Sequence, residues 1–123
     1  QQTSNNPVVR ENADIVVLNA TDVNGLAGTQ QLRLINQYQL DVTQVADADS
    51  LQATTSVIDA SGGHKANTRK LLGQIYGQHF TTTNPYALAY PDADFIVLIG
   101  SDHAHTRAQN EEEPGDRGGN MVL

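Results

Sequence analysis

The sequence predicts a small α/β domain in which helices pack on a β-sheet. Three observations carry that expectation. Two short, nearly continuous apolar runs, Ile15–Leu18 and Phe95–Ile99, stand far apart in the chain. Two segments with helical spacing of apolar residues lie between them. Gly- and Asn-rich turns separate each strand-like run from the helix after it.

The first run, Ala13-Asp14-Ile15-Val16-Val17-Leu18, is β-branched and aliphatic, too short for an independent helix, and suits a strand covered on both faces. A turn, Asn19 to Gly25, follows. Leu26, Ala27, Leu34, Ile35 and Tyr38 then gather on one helix face, with Asn24 as the expected N-cap. Asp41 to Val45 alternates and predicts a second strand, and Thr54 to Asp59, centred on Val57 and Ile58, a third. Ser61-Gly62-Gly63 opens a second helix from about His64 to Tyr76, and Gly77 stands where a left-handed cap belongs. His79 to Tyr90 is ambiguous, and Tyr86-Ala-Leu-Ala-Tyr90 within it fits either a short edge strand or a packed loop. Ala93-Asp94-Phe95-Ile96-Val97-Leu98-Ile99 mirrors the first strand.

The order is β-α-β-β-α-β. It predicts a four-stranded sheet with both helices on one face, in a ferredoxin-like split βαβ arrangement. A small Rossmann-like parallel sheet is the alternative, and the continuous apolar strands lean towards it.

Composition narrows function. The chain has 123 residues, one domain's worth, with residues 1–12 read as a linker and Thr106–Leu123, which carries an acidic run, Pro and Gly, as a disordered tail. A formal charge of −7 argues against nucleic acid or an anionic membrane as main partner. Cysteine is absent, which removes disulfides and thiolate chemistry. No apolar stretch approaches the roughly 18 residues of a membrane span. The chain begins Gln1-Gln2, so any anchor is expected upstream.

The segment Ile15-Val-Val-Leu-Asn-Ala-Thr-Asp-Val-Asn-Gly-Leu-Ala27 resembles the opening of the LytR C-terminal domain family, an accessory domain of LytR–CpsA–Psr cell-envelope proteins. That opening is a hydrophobic strand, an Asn-Gly-Thr-like turn and Gly-Leu-Ala at the start of a helix; here Ala20 replaces the turn's glycine. Val57-Ile58, Leu71-Leu72-Gly73 and the Ala93–Asp102 strand follow in the family's order. The resemblance implies a non-catalytic module, residues 13–105, outside the membrane of a Gram-positive-type bacterium. It would be anchored through a segment absent from this chain and associated with attachment of glycopolymers to peptidoglycan. Wall material or an envelope protein would be the partner. Ligase chemistry would belong to a separate catalytic domain, and no cofactor is implied.

Both strand-to-helix junctions are candidate binding sites. Asn19, Thr21, Asp22 and Gly25 offer side chains and backbone N–H groups to sugar hydroxyls or an anion; the same residues are also ordinary turn formers. Gly62, Gly63, Lys65 and Arg69 offer free N–H groups beside cations that share a helix face, although neither a Walker spacing nor GxGxxG is present. In the split arrangement the two junctions would lie together and form one surface.

Rival readings rest on fewer residues. Asp102, His103 and His105, with His64 or His79, could chelate a metal and support a small hydrolase, although their position beside the tail argues against it. Asp59, Ser61 and His64 have triad chemistry without a nucleophile elbow. Tyr86 and Tyr90 suit sugar stacking, but packing against the sheet is their commoner fate. Asn19-Ala20-Thr21 forms a glycosylation sequon, relevant only in a eukaryotic secretory pathway. A spacer or dimerisation role needs no site.

Overall fold

The computed structural model describes residues 6–103. In chain order the elements are α1 (Pro7–Glu11), β1 (Asp14–Asn19), α2 (Leu26–Tyr38), β2 (Asp41–Asp47), β3 (Ser56–Asp59), α3 (Ala66–Tyr76), β4 (Phe80–Thr81) and β5 (Phe95–Ile99). The chain turns helical again at 101–103. The strands form one mixed sheet in the order β2-β1-β5-β3-β4. β1 is parallel to both β2 and β5, whereas β3 is antiparallel to β5 and parallel to β4.

The α/β class is as predicted; strand number and neighbours differ. The fifth strand, β4, has two residues, too few to show alternation in sequence. β2 and β3 form no hairpin, because the connection between them crosses the ends of β1 and β5. Each βαβ unit keeps its two strands side by side, so the split arrangement is not adopted.

The odd-numbered residues Ile15, Val17, Val57, Phe95, Val97 and Ile99 face α2 and α3 in the main core, against Leu26, Leu34, Leu72 and Tyr76. Val16, Leu18, Ile58 and Ile96 face the other way and are covered by Tyr86, Tyr90 and Ala93. This second cover explains the near-continuous apolar runs: both faces of β1 and β5 are buried, one by helices and one by a loop. Tyr86 and Tyr90 therefore pack on the sheet, and the Tyr86 hydroxyl accepts from the Asp49 N–H at 3.0 Å.

Several local expectations need correction. Pro7–Glu11, read as linker, is a short helix: Pro7 supplies a preset φ in its first turn, and the Asn6 side chain accepts from Val8 N at 2.9 Å. α2 is capped at its N-terminus by Gly25 (φ 80°) rather than Asn24. Gly77 has φ 94° and ψ 170°, a positive φ without left-handed helical geometry. Residues 106–123, the expected tail, lie outside the described residues.

The two βαβ units repeat one another. Val17-Leu18-Asn19-Ala20-Thr21 recurs as Val57-Ile58-Asp59-Ala60-Ser61, and the buried Leu34 of α2 corresponds to Leu72 of α3. β5 lies between the units, and their first strands, β1 and β3, run in opposite directions on either side of it.

Candidate functional site

The repeated strand ends build the same turn. Asn19 Oδ1 accepts from Thr21 N and Thr21 Oγ1 at 3.0 and 2.6 Å, and Thr21 Oγ1 accepts from Val23 N. In the second unit, Asp59 Oδ1 accepts from Ser61 N and Ser61 Oγ at 3.0 and 2.6 Å, and Ser61 Oγ accepts from Gly63 N. Asn19 and Asp59 are both buried, so most of their polarity is spent inside the turn. The same bonds commit Ser61 and Asp59 away from triad chemistry.

The two junctions do not form one surface. Asn19 pairs with Ile99 at one end of β5, and Asp59 pairs with Phe95 at the other. Four residues of strand hold them about 13 Å apart along its length. The expected juxtaposition of Asn19 with Gly62 depended on parallel first strands, and β1 and β3 are antiparallel.

The second junction is satisfied from within. Glu11, from α1, lays its carboxylate over the start of α3. Oε1 accepts from Thr68 N and Oγ1, both at 2.7 Å, and Oε2 from Asn67 N and Nδ2, both at 2.9 Å. Partial burial works against the charged form, but these bonds outweigh it and hold the Glu11 pKa below the usual glutamate range. Lys65 donates to the Glu11 carbonyl. Arg69 pairs with the buried Asp59 at 3.1 Å and lies 4.4 Å over the Phe80 ring. The Asn67 and Thr68 N–H groups are thus held by Glu11, the Gly63 N–H by Ser61 Oγ, and the Lys65 and Arg69 cations by the Glu11 carbonyl and Asp59. The cleft left beside Asp59, Gly63 and Lys65 is only about 140 Å³.

The first junction is open. At the carboxyl ends of β1 and β5 lies a crevice of about 350 Å³ lined by Ala20, Thr21, Asp22, Leu51, Gln52, Ala53 and Ser101. Backbone bonds tie its walls together: Ala20 N to Ile99 O, Gln52 N to Ala20 O, and Ser101 N to Gln52 O. Gln52 Nε2 donates to the Thr54 carbonyl and Ser56 Oγ, which fixes its side chain as a wall. Asp22, Leu51 and Ser101 are exposed at the rim. Gly25 lies outside this crevice, in a neighbouring groove with Val45 and Asp47. Sequence reasoning missed Leu51, Gln52 and Ser101, because nothing in their local pattern shows that this connection crosses the strand ends.

Beside the crevice, Thr55 ties the chain ends together. Its hydroxyl donates to Asp102 Oδ1 at 2.6 Å and accepts from Gly100 N at 2.9 Å, and Thr55 N donates to both Asp102 oxygens. Burial opposes ionisation of Asp102, yet the Thr55 bonds and neighbouring His103 hold its pKa below the usual aspartate range. His103 Nδ1 sits 2.9 Å from Thr55 Oγ1, and its ring meets Tyr76 edge-on at 5.0 Å. Thr55 is fully buried and directs its proton to Asp102, so the cluster braces the C-terminal end of β5 and offers no accessible nucleophile. Among the described residues no three His, Cys, Asp or Glu side chains gather as metal ligands; His105 lies outside them. No described helix is long and apolar enough to cross a membrane.

Comparison with protein-family models, curated proteins and solved structures returned no match.

Proposed function

We propose that this chain is a non-catalytic accessory module of a bacterial cell-envelope protein that contacts wall material through the crevice at the ends of β1 and β5. The observation that carries the reading is the crevice itself. It lies outside the carboxyl ends of adjacent parallel strands, where open α/β sheets hold ligands. Around it a carboxylate, a hydroxyl and an exposed leucine share one rim. That mixture suits a chain of sugars and amides, with Leu51 against an apolar ring face and Asp22 accepting from hydroxyl or amide N–H groups. Among the described residues no cation lines the crevice, which favours peptidoglycan over an anionic glycopolymer. The resemblance to the LytR C-terminal domain family supplies the wall context, extracytoplasmic placement and an upstream anchor.

Calorimetric titration of the protein with a soluble disaccharide-peptide fragment of peptidoglycan tests this. Saturable binding that Asp22→Ala weakens about tenfold, the loss of roughly one charge-assisted hydrogen bond, is expected. Binding unchanged in Asp22→Ala and in Leu51→Ser removes the crevice as the site.

A further inference from the structure

We propose that the open edge of β2, with the adjoining face of α2, is a docking groove for a short extended segment of a partner protein, apolar at its centre and flanked by cations. This surface is separate from the crevice and does not depend on it.

Among the described residues β2 is the outermost strand and pairs only with β1. The Ala48 N–H bonds inward to Asn19 O. Because backbone direction alternates along a strand, Val45 and Asp47 turn their N–H and C=O groups outward. The first half of the edge is already blunted. The ladder shifts register at Thr43, which is drawn to Asp14 by a 2.6 Å bond, and Gln31 Nε2 donates to the Val42 carbonyl. Among the described residues, nothing pairs with the outer edge of Gln44–Asp47.

A groove of about 280 Å³ runs beside that half, between Gly28 and Ala27 of α2 and Val45 to Asp47 of β2. Gly28, Leu32 and Ile35 follow one another on a single helix face. Leu32 is 60% exposed, and Ile35 and Val45 are 39% and 38% exposed. Val45 pairs with Val17, which faces the helices, so its side chain lies on the α2 side of the sheet. A strand added to β2 would place alternate side chains on Val45 and towards Gly28 and Ile35 while bonding to Val45 and Asp47.

Charge selects the occupant. Asp47 and Asp49 stand at the open end, on a chain of formal charge −7. A second copy would bring these carboxylates onto one seam, whereas a segment flanked by Lys or Arg meets opposite charge.

Titrating the isotope-labelled full chain with three synthetic peptides tests the inference: a Val-Thr-Val core flanked by lysines, the same core flanked by glutamates, and a lysine-flanked core broken by proline. The lysine-flanked peptide should give saturable amide shifts at Val45, Asp47, Gly28 and Ile35. The glutamate-flanked peptide should bind about tenfold more weakly. Asp47→Lys, an exposed substitution, should invert that preference. No shifts at millimolar peptide, equal binding of all three peptides, or concentration-dependent shifts at these amides without peptide would each overturn the proposal, the last by making the edge a self-association seam.

Discussion

Single residues in this chain show how closely polar chemistry and fold are joined. Gly100 follows β5 where the chain passes the 53–55 connection. A Cβ there would stand 2.7 Å from the Thr54 carbonyl carbon and 2.8 Å from Thr55 N, both backbone atoms that cannot swing aside. Gly100→Ala should therefore destabilise by about 2 kcal/mol through strain, measured by urea unfolding. Thr55→Val removes the hydroxyl shared by Asp102 and Gly100 and leaves a buried N–H without that acceptor. A loss of about 1–3 kcal/mol is expected from the same measurement. Tyr76 makes a similar case: its hydroxyl donates to the buried Gln30 Oε1 at 2.7 Å, and burial pushes its pKa well above the usual tyrosine value. None of these partnerships is legible in the sequence. Thr55 and Asp102 are 47 positions apart, and only the sheet order brings them together.

At the scale of elements, strands and helices were legible because apolar spacing sets them: β1, β5, α2 and α3 fall close to where periodicity puts them. Strand order was not legible, since a helical crossover of given length can precede either a neighbouring or a split strand. The repeated Asn19-Ala20-Thr21 and Asp59-Ala60-Ser61 turns are visible in the sequence, and they mark the two βαβ units whose opposed directions separate the candidate sites. The function of α1 was hidden for a different reason. Glu11 acts on α3 through tertiary contact, so a polar segment that resembles a linker supplies a helix cap. Glu11→Ala should cost about 1 kcal/mol, as loss of an N-terminal cap does. Because the folded state holds Glu11 below its usual pKa, that contribution is full above the ordinary glutamate range and is lost as pH falls through the lowered value. Chemical denaturation of Glu11→Gln from pH 7 downward should show a flatter acid decline than the parent protein; a parallel decline contradicts the capping role.

For the whole molecule, the sheet divides the candidate surfaces. The α3 junction is closed by Glu11 and Asp59, the β1–β5 crevice is open, and the β2 edge lies to one side. Little of the candidate site was legible: Thr21 and Asp22 stand at the crevice, Asn19 and Gly25 line the neighbouring groove, and Gly62, Gly63, Lys65 and Arg69 belong to the junction at the opposite end of β5. The most direct test of the proposed wall-binding role is an amide chemical-shift titration of the labelled protein with soluble peptidoglycan fragments. Saturable shifts centred on Thr21, Asp22, Leu51, Gln52 and Ser101, with Gly62 to Arg69 unmoved, are the predicted result. Shifts centred on Gly62 to Arg69, or none at millimolar fragment, would contradict it.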